Sequence, residues 1–240
     1  PILREILSEN ENLRLLNDRM AGKIKEEIRV GIIPTVSVYM LTRLFSLFSS
    51  ALPNVRFLYV EHPTETLLLE LEKGTIDFGI LAGPYQQAKY RTLPLYTEEI
   101  QVYTALGKEG GIEVAALDGQ QPWLLSKGNC LRTQVINFCN ISETAEAPSW
   151  DYIGGNMDLL VEMVNINGGY TLLPSEFKST KEQPGFRKRL ASPYGYPARE
   201  IIGVFAQRSY KTPHMERMVK EIQLAFPQAR NAPLHILDWK

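Results

Sequence analysis

Cysteine and histidine are scarce in this sequence. Its 240 residues hold 2 cysteines and 3 histidines. Two cysteines are too few for the disulfide framework of a small secreted scaffold. The histidines, His62, His214 and His235, lie far apart and lack the short spacing of a metal site. We therefore expect a protein with no metal and no other cofactor.

Charge of one sign and long apolar runs are missing as well. Lys and Arg number 26 against 27 Asp and Glu, a net charge of −1, so no basic field marks the chain as a nucleic-acid binder. Its apolar runs are far shorter than the roughly 20 residues that cross a bilayer. Near the start, Arg4, Glu5 and Glu9 interrupt the pattern of a signal peptide. These absences predict a cytoplasmic protein with no membrane partner.

The first 26 residues form a distinct, charged segment with a helical pattern. Apolar residues and asparagines recur there at alternating steps of three and four: Leu3, Ile6, Asn10, Leu13, Asn17, Met20 and Ile24. This spacing predicts about three heptads of a linker helix that pairs with a partner helix. Buried asparagines would weaken that seam but fix its register and partner number. An amphipathic helix lying on its own domain is the alternative.

Short strands then alternate with helices up to residue 99. Strands are predicted at 27–33, 55–61 and 76–82, and helices at 36–50 and 64–72. The strands are rich in β-branched and apolar residues, and the second helix stops at Gly74. Such alternation is typical of crossover units and a parallel sheet.

The pattern changes after Pro94, which indicates a second α/β lobe. Strands are predicted at 100–106, 122–125, 170–174 and 199–206, helices at 131–139, 157–165 and 213–226, and a Pro- and Gly-rich loop at 183–197. Gly168 and Gly169 predict a tight turn. We expect the chain to leave the first lobe near Glu99 and to return near Arg199.

The two cysteines lie nine residues apart, in the segment KGNCLRTQVINFC at 127–139. Asn129 is a suitable N-cap, which would place Cys130 in the first turn of a helix, where unpaired backbone N–H groups favour a thiolate. With Arg132 close by, we expect a low pKa for the Cys130 thiol. Thiolate is the species that attacks a peroxide oxygen to give sulfenic acid. Two buried cysteines that act as small hydrophobic side chains are the alternative.

A helix over this segment would keep the two thiols apart. Nine residues of α-helix rise about 13–14 Å, whereas a disulfide needs Cα atoms within roughly 7 Å. A Cys130–Cys139 bond would therefore have to unfold the helix and pull out its apolar stripe of Leu131, Val135 and Phe138. We predict a switch between a reduced helix and an oxidised, refolded segment.

Several pieces of the chain, in this order and spacing, resemble the effector domain of LysR-type transcription regulators. After the linker helix they are IRVGIIPTV, LEKGTIDFGIL, INGGYTLLP and REIIGVFAQR. The resemblance covers nearly the whole chain. It implies an α/β, two-lobed, periplasmic-binding-protein-like fold, in which each lobe is a mainly parallel sheet flanked by helices and a linker helix precedes both.

The resemblance also implies a division of the chain. Residues 1–26 would be the linker helix, 27–99 with 200–240 regulatory subdomain I, and 100–199 regulatory subdomain II with the redox segment 127–140. The family's winged helix-turn-helix would precede the linker and is not expected in this sequence. DNA contact is therefore expected only through that missing N-terminal domain.

The redox segment resembles, more narrowly, the OxyR-type peroxide sensors of that family. The match includes Gly128, Cys130, Leu131, Arg132, Gln134, Phe138 and Cys139. It implies that Cys130 reacts with hydrogen peroxide and that Cys139 resolves the sulfenic acid as a disulfide, changing the dimer or tetramer arrangement and DNA binding. The sequence departs at Asn129, where a familiar member has histidine, and at Thr133, where it has aspartate. Both departures remove side chains that could tune the pKa of the thiol or relay a proton.

Peroxide-binding residues are implied as well. Thr35 and Thr64 match threonines that lie beside the peroxide in the family, and Asn129 and Arg132 flank the reactive cysteine. Arg199 begins the returning strand at the lobe junction, where it would donate to the oxidant. From the residues alone, Thr35 is equally a turn or N-cap threonine, Thr64 an N-cap, and Arg199 part of a surface salt bridge.

Three functions stay open at this point. The first is a redox-switched, non-enzymatic regulator whose partners are hydrogen peroxide, further copies of itself, a thiol reductant such as glutaredoxin or thioredoxin, and RNA polymerase. The second is a LysR-type domain that binds a small organic effector between its lobes, with structural cysteines. The third, a solute-binding protein of the same fold, is disfavoured by the linker heptads and the missing signal.

Overall fold

The computed structural model describes residues 10, 13, 26–105, 110–141, 154–182, 185–207, 209–226 and 233–238. The predicted linker helix at 1–26 lies almost wholly outside these residues. Asn10 and Leu13 are described there, both helical and exposed. The linker helix and its heptad pairing therefore stay a prediction.

The first part of the chain follows the predicted alternation of strands and helices. Its elements are β1 (Glu26–Ile32), α1 (Pro34–Ala51), β2 (Val55–Glu61), α2 (Thr64–Lys73) and β3 (Phe78–Ala82). Each lies within two residues of its predicted bounds. Gly74 ends α2 with a φ of +70°, a conformation that glycine adopts at little cost.

The rest of the chain is more irregular. It forms β4 (Tyr90–Thr104), β5 (Ile112–Glu113), a short 3-10 helix (Val114–Leu117), α3 (Cys130–Phe138), α4 (Met157–Asn167), β6 (Tyr170–Pro174), β7 (Phe186–Ala191), β8 (Tyr196–Ala206), α5 (Thr212–Ala225) and β9 (Leu234–Ile236). The loop predicted at 183–197 is wrong, because it contains β7 and the start of β8. The strand predicted at 122–125 is reduced to one bridge between Pro122 and Tyr170.

Strand β7 was missed because of its basic side chains. Its sequence, FRKRLA, is too charged to suggest a sheet. The charges are matched by acids: Arg187 pairs with Glu182 and Arg189 with Glu99. With those partners the strand pairs with β4 on one side and β5 on the other.

The α/β fold is confirmed, but its sheets are mixed rather than mainly parallel. In the first lobe β1 pairs parallel with β2 and with β3, as predicted. Strand β8 then pairs antiparallel with both β3 and β4. In the second lobe the end of β4 pairs antiparallel with β6 and β7. The mixture arises because the two strands that connect the lobes run in opposite directions.

Those connecting strands, β4 and β8, form one continuous ladder. Glu98 lies opposite Arg199, and Glu99 lies opposite Ala198. One hydrophobic cluster packs around β1, β3, α1 and α5, and a second packs around the end of β4, β6, α3 and α4. The chain passes between the clusters along β4 and returns along β8. The subdomain bounds given from the sequence stay a prediction.

Helix α1 packs one face on the first cluster. It is 18 residues long and buries Val36, Met40, Leu44 and Phe48, spaced as one face of a helix. Its other face is exposed to solvent at Phe45. Among the described helices, α1 included, none has both the length and the apolar composition that a bilayer crossing requires.

The C-terminal strand β9 connects the redox segment to the ladder. It pairs parallel with the start of β8. Next to it, the Leu237 carbonyl oxygen accepts a hydrogen bond from Gln134 Nε2 of α3 at 3.1 Å. The His235 ring also contacts the Phe138 ring of α3, with centroids 5.8 Å apart. Helix α3 therefore contacts the C-terminal segment directly at two points.

Gly168 and Gly169 form the predicted tight turn between α4 and β6. Their φ angles are +73° and +79°, in the region that side chains disfavour. A Cβ atom on Gly169 would lie 2.2 Å from the Gln121 carbonyl oxygen, whereas one on Gly168 would meet nothing within 4 Å.

We predict that the two alanine variants of this turn differ sharply in stability. Gly168→Ala carries only the backbone penalty of a φ of 73° and a ψ of −161°, about 1–3 kcal/mol. Gly169→Ala adds overpacking against the Gln121 backbone, about 1–3 kcal/mol more. Urea unfolding of both variants measures the difference, and equal losses would contradict it.

Candidate functional site

Three helices begin at the junction of the two lobes. Helix α1 begins with Pro34 and Thr35, α2 with Thr64, and α3 with Cys130. Cys130 belongs to the hydrophobic cluster of the first lobe, although the next residues of α3, such as Leu131, belong to the second. The start of α3 therefore reaches across the junction.

Cys130 is buried and meets the hydroxyl of Thr64. Its Sγ atom lies 2.9 Å from Thr64 Oγ1, and the residue is 7% exposed. Cys139 immediately follows α3 as its C-cap, and both cysteines are free thiols. The helix predicted for the reduced segment is thus confirmed, with one thiol at each end.

The low thiol pKa expected for Cys130 is wrong. Burial raises the pKa of the Cys130 thiol above its ordinary value, because a charge in an apolar site loses hydration. The Thr64 hydroxyl, the Arg199 charge and a backbone hydrogen bond lower the pKa, but burial outweighs them. The cation that acts on the thiol is Arg199, rather than the expected Arg132. The Arg132 guanidinium donates to the Leu125 carbonyl oxygen at 2.9 Å.

Asn129 occupies the predicted N-cap position without capping the helix. Its side chain accepts no hydrogen bond from the first turn of α3. Instead its Nδ2 donates to the carbonyl oxygen and to the Oγ of Ser126, at 3.1 and 3.0 Å. The tight turn through Gly128, with a φ of +89°, brings Ser126 within reach of the amide. Asn129 therefore fixes the loop before Cys130.

Both threonines lie inside their helices rather than at the N-caps. The N-cap of α1 is Ile33, and that of α2 is Pro63. The N-cap interpretations of Thr35 and Thr64 are therefore wrong. Their hydroxyls contact other elements instead: Thr64 meets Cys130, and Thr35 accepts from Arg199.

Arg199 is completely buried, which rules out the surface salt bridge. Its Nε donates to Glu98 Oε1 at 2.8 Å. Its Nη1 donates to Thr35 Oγ1 at 3.0 Å and its Nη2 to the Thr35 carbonyl oxygen at 3.1 Å. Arg199 thus joins the connecting strands to the start of α1, close enough to Cys130 to influence its pKa.

Glu98 and two tyrosines complete this cluster, and none of the three was predicted from the sequence. The Tyr39 hydroxyl donates to Glu98 Oε1 at 2.8 Å and lies 2.7 Å from the Tyr96 hydroxyl. Burial raises the pKa of Glu98 while Arg199 and Tyr39 act in the opposite direction, and burial also raises the pKa of both tyrosines. The sequence held one indication of Glu98: it is adjacent to Glu99, where the chain was predicted to leave the first lobe.

Cys139, at the far end of α3, is held as a protonated thiol. Burial raises its pKa to about 12, and the nearby Asp118 charge adds to the rise. A hydrogen bond with Tyr170 acts in the opposite direction. The described parts of the chain bring together no set of three His, Cys, Asp or Glu side chains as metal ligands.

We predict that Thr64→Val raises the pKa of the Cys130 thiol further, because it removes the hydrogen bond that favours the thiolate. At a fixed pH near neutrality, alkylation of Cys130 by iodoacetamide should be slower than in the unaltered protein. Thr66→Val, two residues along the same helix, is the matched control and should leave the rate unchanged. A Thr64→Val protein that alkylates at the normal rate would contradict the role of this hydroxyl.

Comparison with known proteins finds similar sequences among transcription regulators. The chain is 25% identical over 175 residues to the hydrogen peroxide-inducible genes activator of Haemophilus influenzae, covering 71% of this chain and 58% of that protein. It is 27% identical over 174 residues to the HTH-type transcriptional regulator EstR of Acinetobacter baylyi, covering 71% and 57%. The chain therefore matches little more than half the length of either relative.

A solved structure agrees over a larger share of the chain. A serine-substituted mutant of Corynebacterium glutamicum OxyR with H2O2 bound is 25% identical, with a TM-score of 0.73. The structural match covers 94% of this chain and 72% of the OxyR chain. A family model described as the LysR substrate binding domain matches residues 21–226. Since that match takes in most of the sequence, this chain belongs to the LysR substrate-binding domain family.

Proposed function

We propose that this chain is the peroxide-sensing regulatory domain of a LysR-type transcription regulator. The observation that carries the proposal is the free Cys130 at the start of α3. Its thiol is hydrogen-bonded to Thr64 and interacts electrostatically with Arg199. Relatives named as hydrogen peroxide-inducible activators and the OxyR structure with H2O2 bound support it. The proposal gives Cys130 the role of the reacting thiol.

The proposed first step is a two-electron oxidation of the thiol. The Cys130 thiolate attacks one peroxide oxygen, an S–O bond forms, and the O–O bond breaks. The second oxygen leaves as hydroxide and takes a proton to become water. Hydrogen-bond donors from Thr35, Thr64 and Arg199 would stabilise the charge on that leaving oxygen. Asn129 and Arg132 act more remotely in this proposal, by shaping the loop that presents the thiol.

The second step joins the two cysteines and needs α3 to unfold. The Cys139 sulfur attacks the sulfenic acid sulfur, which releases water and leaves a disulfide. Helix geometry keeps the ends of α3 too far apart for this bond. Exposing the buried side chains of Leu131 and Val135 would cost roughly 1.5–3 kcal/mol each. Unfolding would also return Cys139 to water, and its pKa would fall from about 12 toward the ordinary value. The same motion therefore brings Cys139 closer and activates it.

The remaining parts of the proposal concern partners. A regulator of this family would act as a homodimer or homotetramer, because paired half-sites are read by paired domains. DNA would be bound by a winged helix-turn-helix on the linker. A thiol reductant such as glutaredoxin or thioredoxin would reset the disulfide, and RNA polymerase would receive the signal.

Similarity to EstR favours a second candidate function. That relative is as similar to this chain as the peroxide-inducible activator, and its name carries no mention of peroxide. In this alternative the junction of the lobes binds a small organic effector, and Cys130 is a buried structural residue. The chemical reactivity of Cys130 separates the two functions.

We predict that hydrogen peroxide converts Cys130 to a sulfenic acid. In a Cys139→Ser protein the intermediate has no partner, so one equivalent of peroxide followed by dimedone should label Cys130 stoichiometrically. Cys130→Ser is the control and should take up no label. An unlabelled Cys130 in a folded Cys139→Ser protein would favour the effector-binding alternative.

We also predict that oxidation releases both α3 and the C-terminal strand. The contacts from Gln134 to Leu237 and from Phe138 to His235 cannot survive if α3 unfolds. Hydrogen exchange should therefore rise in Cys130–Phe138 and in Leu234–Ile236 after peroxide, and stay constant in α5. Unchanged protection of α3 in a protein with a proven Cys130–Cys139 bond would refute the switch.

A further inference from the structure

We propose that Glu98 is a positioning residue for the peroxide reaction, acting through Arg199. The inference rests on the proposed function and extends it to a carboxylate that does not touch the thiol in the described contacts. Glu98 and Arg199 face each other on the two connecting strands. Their side chains are almost completely buried, at 1% and 0% exposure.

The ion pair fixes the direction in which Arg199 presents its donors. Arginine is long and flexible, and its planar fork has five N–H donors. Glu98 takes the Nε donor at 2.8 Å, and Thr35 takes one donor from each terminal nitrogen. Among the described contacts, two N–H groups of the fork are thus left for an incoming ligand. Without Glu98, nothing on β4 would hold the guanidinium at that angle.

The pair also sets the direction of the Thr35 hydroxyl. Because Thr35 Oγ1 accepts from Arg199 Nη1 at 3.0 Å, its own proton is available to a different acceptor. A hydroxyl carries one proton, so this arrangement makes Thr35 a donor toward the ligand. The Glu98 carboxylate therefore orders two of the donors that the proposed reaction uses.

Glu98 is itself held by a chain of hydroxyls. Tyr39 donates to Oε1, the same oxygen that accepts from Arg199, and Tyr96 lies within hydrogen-bond distance of Tyr39. The second oxygen, Oε2, is buried without a hydrogen-bond partner in the described residues. Both anchors thus act on one oxygen, which fixes the carboxylate at the end nearest Arg199.

Positioning and simple electrostatics predict opposite effects of Glu98→Gln. Arg199 lowers the pKa of Cys130, so removing the negative charge of Glu98 would favour the thiolate. If Glu98 acted only through its negative charge, Glu98→Gln would speed up both peroxide oxidation and alkylation of Cys130. If Glu98 positions donors, its loss slows peroxide oxidation. Alkylation by iodoacetamide needs no such donors, so its rate does not fall.

The test compares these two rates in a Cys139→Ser background. Second-order rate constants are measured for Cys130 with hydrogen peroxide and with iodoacetamide, and their ratio is taken. Glu98→Gln should lower that ratio about tenfold to a hundredfold, the range expected for a misplaced transition-state donor. In an Arg199→Gln background the further change Glu98→Gln should have no effect, because the two residues act together. An unchanged ratio in folded Glu98→Gln protein would overturn the inference.

Two further variants complete the design. Glu99→Gln, the matched control, removes a carboxylate on the adjacent residue whose partner is Arg189, and it should leave the ratio unchanged. If Glu98→Gln does not fold, Tyr39→Phe replaces it, since it removes one anchor of Glu98 and keeps both charges. A lowered ratio in Tyr39→Phe supports the inference, and an unchanged ratio overturns it. If Cys130 of the Cys139→Ser parent is alkylated by iodoacetamide but does not react with peroxide, the proposed function itself is refuted.

Discussion

A nine-residue helix separates the two thiols of this chain, and the proposed chemistry depends on that separation. Helix α3 holds Cys130 at its first residue and Cys139 just past its last. The helix and a disulfide between its ends are geometrically exclusive. In the proposed function, oxidation of one sulfur would therefore unfold the helix, because the disulfide cannot form while the helix persists.

The start of α3 is also where the two lobes meet. Cys130 packs in the core of the first lobe and is hydrogen-bonded to Thr64 of α2, while Leu131 and Val135 pack in the core of the second lobe. Beside it, Arg199 ties the connecting strands to α1. At its other end, the Phe138 ring of α3 contacts His235 of the C-terminal strand, which pairs with β8. Unfolding α3 would therefore loosen contacts on both sides of the junction, which is how a local oxidation can alter a larger surface.

Much of the architecture was predictable because local pattern and tertiary role agree. Strands β1 and β3 are apolar and largely buried, and α1 shows helical spacing of its apolar residues. The redox helix followed from its apolar stripe and from the glycine turn before it. Strand β7 was not predicted because its charged sequence hides its ion pairs: Arg187 pairs with Glu182, five residues earlier, and Arg189 with Glu99 of β4, ninety residues earlier. Its sheet pairing is a property of the tertiary structure that no local window contains.

The candidate site was predictable in some of its members but not in its electrostatics. Thr64 contacts Cys130 and Arg199 acts on the same thiol, a grouping that the family resemblance implied, whereas Glu98 reaches Arg199 through the register of the connecting strands. The pKa of Cys130 was misjudged because position at a helix start favours a thiolate, while burial, which the sequence does not display, opposes it more strongly.

Peptide mapping by mass spectrometry of the peroxide-treated protein tests the central claim most directly. Under non-reducing conditions the account predicts one cross-linked species joining the peptides that contain Cys130 and Cys139, which disappears when a thiol reductant is added. Recovery of both peptides with free thiols, after peroxide has been consumed, would contradict it.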